Sequence, residues 1–171
     1  MLTNAMLTSA MLTNSTLPGA LQMIALAAFS LTVAAVSAAD LKNYRIPDRV
    51  LLPGTMVCAL ALLTASIATE DWVRFQQALL GATLSSAAYL VLHLAAKGGI
   101  GFGDVKLAAL IGLMTGWHSP RAAIVALPLA LVGAGIVGLA LLVSRQITRQ
   151  TPIPLAPFMS LAAIAVLVPG G

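Results

Sequence analysis

Long stretches without charge, separated by short charged segments, make up most of the chain. Most of these stretches are near the ~20 residues with which an α-helix crosses a bilayer. They cover residues 19–39, 50–69, 75–96, 107–120, 122–144 and 151–171. The pattern predicts an all-α, polytopic membrane protein with about six transmembrane helices in one compact bundle. Because the fourth stretch is short, its helix is expected to begin near Ile100 and to include Asp104 and Lys106.

The composition and the placement of basic residues extend this prediction. Of the 171 residues, 60% are hydrophobic and 8% are charged, and the mean hydropathy is +1.00, far above that of soluble domains. Cytoplasmic loops of membrane proteins carry the excess of Lys and Arg. The first, third and fifth connections hold Lys42, Arg45, Arg49, Lys97, Lys106, Arg145 and Arg149, whereas the others hold only Arg74 and Arg121. These three connections are therefore predicted to face the cytoplasm, with both chain ends outside. The net charge of +4 then requires no nucleic-acid partner.

The amino-terminal segment differs from the rest of the chain. The stretch "MLTNAMLTSAMLTNS" returns Met, Leu and Thr every five residues. We interpret residues 1–18 as a low-complexity extension and residues 19–171 as a six-helix domain, with the first helix beginning after Pro18. Within the helices, small residues predict close helix packing. These are Gly112, Gly116, Gly133, Gly135 and Gly138.

Cysteine and histidine give little indication of chemistry. Cys58 is the single cysteine, so the chain forms no internal disulfide and has no CxxC metal site. A small apolar residue inside a membrane helix is typical of packing. His93 and His118 have no visible nucleophilic partner. The sequence therefore predicts no metal and no cofactor.

The five acidic residues fall into two groups. Glu70 and Asp71 are predicted in a solvated outer loop, and Asp48, in "RIPDRV", is predicted to be the N-cap of the second helix. Asp40 ends the first uncharged stretch, and Asp104 precedes the fourth. Both should lie at the same membrane face and at one depth, where an ionisable residue is typical of function.

A pair of carboxylates at that depth predicts acid–base chemistry. Two such groups in a partly desolvated site do not both ionise easily, so one keeps a proton while the other is charged. An aspartic protease uses this arrangement to cleave an amide with water. Gly101 and Gly103 are expected either to adopt positive φ or to let an extended peptide approach Asp104. Lys106 is expected to extend to the headgroups.

Three blocks of the chain resemble the type IV prepilin peptidases, polytopic aspartic proteases of the bacterial inner membrane that are grouped with the GxGD membrane proteases. The blocks are "AADLKNYRIPDRVLLP" at 38–53, "GIGFGDVKLAALIG" at 99–112 and "PIPLAPFMSLAA" at 152–163. The resemblance implies that Asp40 and Asp104 are the catalytic residues. The residues that support the motifs are Gly101, Gly103, Lys106, Pro47 and Asp48.

The resemblance also implies a substrate. Family members remove a short basic leader from type IV prepilins, or from the pseudopilins of type II secretion, at the cytoplasmic side of the membrane. Larger members carry an additional domain with paired CxxC motifs and methylate the new amino terminus. With Cys58 alone, this chain resembles the short, peptidase-only members, so N-methyltransferase activity is not expected. Ala156 stands where the third block often has glycine.

Other functions remain as alternatives. A small proton-coupled transporter would use Asp40 and Asp104 as a relay. An inactive subunit of a pilus or secretion assembly would keep the fold without the reaction. A presenilin-like protease is disfavoured because Asp40 follows Ala39, where that family has tyrosine. Leader removal, as opposed to uptake, distinguishes the peptidase from the transporter.

Overall fold

Six helices form the part of the chain described by the computed structural model, which comprises residues 2–96, 100–145 and 154–167, with side chains from Leu17 onward. No strand occurs in these ranges. The helices are α1 (Leu2–Asn43), α2 (Asp48–Thr69), α3 (Trp72–Ala95), α4 (Phe102–His118), α5 (Pro120–Val143) and α6 (Ala156–Leu167). The prediction of an all-α membrane bundle is confirmed.

Four of these helices have the length and composition of membrane spans. They are α1 from Leu17, α2, α3 and α5. The 17 residues of α4 extend over about 26 Å, close to the ~30 Å of a bilayer hydrocarbon core. The described part of α6 has 12 residues. Large apolar side chains such as Leu31, Leu84 and Val143 are exposed on the outer faces of the bundle, as expected for helices surrounded by lipid.

The shortest of the first five helices, α4, lies at the centre of the bundle. Nearly every residue between Asp104 and Trp117 is buried, and α4 packs against α2, α3, α5 and α6. A helix that is apolar around its whole circumference belongs in the interior. The helix that begins with the predicted functional acid is therefore fixed on all sides by its neighbours.

Glycines allow α3 and α4 to approach each other closely. A Cβ atom at Gly81 would overlap the carbonyl oxygen of Gly112, and one at Gly116 would lie 2.6 Å from the carbonyl oxygen of Gln77. The predicted packing role is thus confirmed for Gly112 and Gly116. For Gly135 it was wrong, because nothing lies within 4 Å of a Cβ built there.

Two predicted helix starts differ from the structure. The first helix does not begin after Pro18 but continues from Leu2 through it. Proline removes one backbone hydrogen bond from a helix, and transmembrane helices tolerate this loss where neighbouring groups compensate. Near Asp104 the prediction was close, since α4 begins at Phe102, two residues after Ile100.

Candidate active site

Asp40 lies in the last turn of α1 and faces the beginning of α6. The backbone N–H of Ala156 donates a hydrogen bond of 3.0 Å to Oδ2 of Asp40, and the N–H of Leu155 also faces this carboxyl group. Ala156 is the first residue of α6, and the positive end of a helix dipole stabilises a carboxylate. One turn earlier in α1, the Ser37 hydroxyl is 2.8 Å from the Ser160 hydroxyl. Two polar contacts therefore hold the beginning of α6 against the end of α1, beside the carboxyl group of Asp40.

Asp104 lies in the first turn of α4, and its side chain bonds to the backbone of the N-cap residue of the same helix. The N-cap, Gly101, is extended, with φ −71° and ψ 148°. Its N–H donates a hydrogen bond of 3.0 Å to Oδ2 of Asp104, and the N–H of Asp104 donates one of 3.1 Å to the Gly101 carbonyl oxygen. A carboxylate at this position satisfies a backbone donor that the helix leaves unpaired.

The two carboxyl groups lie at the same end of the bundle, which we call the aspartate end. At this end α1, α3 and α5 finish and α2, α4 and α6 begin. The exposed fractions of Asp40 and Asp104 are 6% and 8%, so both side chains are buried. Burying a carboxylate is costly unless it is hydrogen-bonded. Each carboxyl group accepts a hydrogen bond from an N–H group at the start of a helix, which offsets part of the cost of burying it.

The connection after Asp40 is attached to α4 at two points. The Ile46 side chain lies against Gly103, where an added Cβ would be 2.8 Å from the Ile46 Cβ. Lys106 Nζ forms an ion pair of 2.7 Å with Asp48 Oδ2. Pro47, which lies between Ile46 and Asp48 in the sequence, has an extended backbone. Its carbonyl oxygen accepts hydrogen bonds from N–H groups in the first turn of α2. The "RIPD" and "GFGDVK" segments therefore pack directly against each other.

These contacts correct the expectation for Asp48 and exclude positive φ for the two glycines, whereas the close approach of an extended peptide stays a prediction. Asp48 is the first residue of α2, and Pro47 is the N-cap without a side-chain cap, so the predicted N-cap role of Asp48 was wrong. Its carboxylate reaches Lys106 across the connection instead. Gly101 has negative φ, and Gly103 lies outside the positive-φ range. The space at Gly103 is occupied by Ile46, which explains the glycine there by close packing.

The Asp48–Lys106 ion pair is expected to have a structural effect of modest size. Both side chains are partly exposed, at 52% and 31%, and exposed pairs contribute about 0–1 kcal/mol. We expect Asp48→Asn and Lys106→Met each to lower the free energy of unfolding by no more than ~1 kcal/mol. A double-mutant cycle in detergent measures the coupling. The resemblance predicts that leader cleavage persists in Asp48→Asn, and its complete loss would transfer the catalytic role predicted for Asp40 to Asp48.

Two residues of α3 belong to the site although the sequence did not indicate their roles. His93 Nδ1 is 2.6 Å from the carbonyl oxygen of Ile100, directly before the N-cap of α4. Tyr89, one turn earlier on the same helix, is 1% exposed. Its hydroxyl has no hydrogen-bond partner among the described residues. A sequence signal exists, since Ser85, Tyr89 and His93 follow at intervals of four and so share one face of α3.

The hydroxyl of Tyr89, which has no hydrogen-bond partner among the residues that the structure describes, predicts an effect on stability. A buried polar group without a partner costs about 1–3 kcal/mol. We therefore expect Tyr89→Phe to increase the free energy of unfolding by a similar amount, measured by thermal unfolding in detergent. Tyr44→Phe is the matched control, because that side chain is 52% exposed and should show no change. Destabilisation by Tyr89→Phe would show that the hydroxyl has a bonding partner in the folded protein.

No group of three or more potential metal ligands occurs within the ranges that the structure describes. The Cys58 Sγ lies 3.4 Å from the carbonyl oxygen of Ala25, in the contact between α2 and α1 and away from both aspartates. The fold and the site define a helical membrane protein with two buried carboxyl groups at one end of its bundle.

Comparison with known proteins identifies the family. Residues 25–168 match the type IV leader peptidase family, and the chain belongs to that family. It is similar to the prepilin leader peptidase/N-methyltransferase of Burkholderia pseudomallei (strain K96243), with 32% identity over 154 residues, 84% of this chain and 46% of the relative. The protein of the same name from Aeromonas hydrophila is 34% identical over 155 residues, 85% of this chain and 50% of the relative.

A third relative of that name, from Pseudomonas putida, is 31% identical over 156 residues, 85% of this chain and 50% of the relative. The chain spans about half the length of the curated relatives it matches. No solved structure matches the chain.

Proposed function

We propose that this protein is a membrane aspartic endopeptidase that removes the short basic leader from type IV prepilins or pseudopilins. The observation that carries the proposal is the pair of buried carboxyl groups, Asp40 and Asp104, each bonded to a backbone N–H at the start of a helix. Membership of the leader peptidase family supports the same reaction class. Hydrogen bonds from Ala156 and Gly101 orient the two groups before substrate binds.

The proposed reaction uses one proton shared between the two carboxyl groups. The charged group takes a proton from water as the water oxygen attacks the carbonyl carbon of the scissile amide. The neutral group gives its proton to the carbonyl oxygen. As the tetrahedral intermediate collapses, the amine nitrogen takes the proton held by the pair and the C–N bond breaks. One hydroxyl of the intermediate returns its proton to a carboxylate as the C=O bond re-forms, so a single proton again remains on the pair. Oδ1 of Asp104 is available for these transfers, because Oδ2 carries the bond from Gly101.

We also propose that the aspartate end faces the cytoplasm. Basic residues at this end include Lys42, Arg45, Arg49, Lys106 and Arg145, whereas at the opposite end Arg74 is paired with Asp71. An excess of basic residues near the ends of membrane helices marks the cytoplasmic side. Both ends of this chain would then lie outside, in the bacterial inner membrane. Lys97 and Arg149 also belong to the basic residues predicted at the cytoplasmic side, but they lie outside the described residues.

The proposed domain comprises residues 19–171, with residues 1–18 as an extension, and its partners are the lipid bilayer and the prepilin. The family match begins at residue 25 and ends at residue 168, which supports these limits. We propose cleavage without N-methylation, since the sequence contains Cys58 as its only cysteine and therefore no CxxC pair.

The test of the proposal is leader removal by purified protein. The protein, in detergent or lipid, is incubated with a prepilin that carries its leader, and the products are identified by mass. We expect one cut at the end of the basic leader and an unmodified new amino terminus. A methylated product would show that the protein also N-methylates the new amino terminus. Intact prepilin after incubation with folded protein would contradict the proposal and favour a transporter or an inactive assembly subunit.

A further inference from the structure

His93 contacts the backbone immediately before α4. Its Nδ1 is 2.6 Å from the carbonyl oxygen of Ile100. A carbonyl oxygen only accepts hydrogen bonds, so Nδ1 carries the hydrogen and donates. This bond also defines the ring orientation, in which the edge of the imidazole approaches the Phe102 ring at a centroid distance of 5.9 Å and an angle of 63°. The side chain is half-buried and held on two sides.

The acceptor of this bond belongs to the peptide group that holds Asp104. The carbonyl of Ile100 and the N–H of Gly101 are the two ends of a single planar peptide unit. That N–H donates the 3.0 Å hydrogen bond to Oδ2 of Asp104. A hydrogen bond accepted at the oxygen of a peptide polarises the unit and strengthens the donor at its nitrogen. His93, the peptide and Asp104 thus form one continuous chain of hydrogen bonds.

The register of α3 against α4 supports this arrangement. Gly81 lies beside Gly112, and Ser85 Oγ is 2.5 Å from a Cβ built at Gly112. His93, eight residues after Ser85, accordingly lies beside Phe102 at the start of α4. Close packing along α3 thus brings the imidazole to the carbonyl of Ile100.

We propose that His93 is a positioning residue for Asp104 and acts through the Ile100–Gly101 peptide unit. The inference rests on the proposed function, in which Asp104 is catalytic. His93 does not contact the reacting atoms. It fixes the direction of the Gly101 N–H, which in turn holds one carboxyl oxygen of Asp104 and leaves the other oriented for proton transfer. Any donor at the same place relative to the backbone should substitute for the imidazole.

Three substitutions separate this role from simple packing. Asn carries its side-chain nitrogen two bonds from Cβ, as Nδ1 is in histidine, whereas in Gln the nitrogen is one bond further out and in Leu there is no donor. We expect His93→Leu to lower kcat for leader cleavage by about ten-fold, with KM within about two-fold, because one oriented hydrogen bond is lost. His93→Asn should return kcat to within about three-fold of the wild type, and His93→Gln should not.

A second measurement does not depend on activity. Hydrogen exchange followed by mass spectrometry on peptides that cover Gly101 should show faster exchange in His93→Leu than in the wild type and in His93→Asn. His118→Leu is the matched control, because that histidine is exposed at the other end of α4 and should change neither measurement. Faster exchange in His93→Leu, together with an inactive wild type, would contradict the proposed function and leave the hydrogen-bond chain in place.

The positioning role itself is contradicted by different results. It fails if His93→Leu cleaves at the wild-type rate while Asp104→Asn is inactive in the same assay. It also fails if Asn and Leu at position 93 lower kcat equally, since the donor would then be irrelevant. Unchanged exchange at Gly101 in His93→Leu would contradict the hydrogen-bond chain.

Discussion

We expect Asp40→Asn and Asp104→Asn each to lower the rate of the proposed leader cleavage by about 10²–10⁴-fold or more, which is the contribution of a positioned acid or base. An amide neither takes a proton from water nor donates one as a carboxylic acid does. Asparagine nevertheless keeps an oxygen that accepts the bonds from Ala156 and Gly101, so both variants are expected to fold and to insert. The measurement is the initial rate of leader removal, followed by product mass, beside a thermal unfolding curve for each variant.

The control for these variants is Asp71→Asn. Asp71 accepts a hydrogen bond from the N–H of Arg74 and caps α3 at the end opposite to the active site. Its loss should slightly affect stability and leave cleavage unchanged. Wild-type cleavage by either Asp40→Asn or Asp104→Asn would show that the corresponding carboxyl group takes no part in the reaction.

Gly112→Ala is expected to have the largest effect on stability. The added methyl group would overlap the carbonyl oxygen of Gly81 and lie 2.5 Å from Ser85 Oγ, and the backbone on that side cannot turn away as a flexible side chain would. Overpacking of this kind typically costs about 1–3 kcal/mol. Separation of α3 from α4 would also move His93 away from Ile100. We therefore expect a lower unfolding temperature in detergent and reduced cleavage together.

Gly135→Ala provides the matched comparison, because it is the same chemical change where nothing lies within 4 Å of the new methyl group. Replacing glycine by alanine in an open helical position stabilises by roughly 0.5–1 kcal/mol. Equal stability of Gly112→Ala and Gly135→Ala would contradict the close contact between α3 and α4.

The helices and the placement of the acids followed from the sequence, and the physical reason is the bilayer. Charged residues mark the ends of membrane helices, so the charge-free stretches predicted six helices, and alternation of the helices predicted that Asp40 and Asp104 share one face. The low charge content of 8% made the candidates few. The positions of the charged residues along the sequence therefore predict the depth at which each residue lies in the bilayer.

The charge pattern of the sequence did not predict which side chains contact each other. Lys106 pairs with Asp48, Ser37 contacts Ser160, and Ala156 donates to Asp40. Each contact joins different helices and depends on how each helix is rotated about its axis, which hydrophobicity alone does not determine when a helix is apolar on all sides. The spacing of Ser85, Tyr89 and His93 indicated a shared face of α3, but the partner of His93 is a backbone carbonyl, which no side chain in the sequence indicates.

The central claim is that Asp40 and Asp104 act as one pair, and the most direct measurement is the rate of leader cleavage in four proteins: the wild type, the two single Asn variants and the double variant. Groups that act as a unit are strongly non-additive. We predict that the double variant cleaves no more slowly than the slower single variant. A double variant whose loss equals the product of the two single losses would show that the carboxyl groups act independently and would contradict the account.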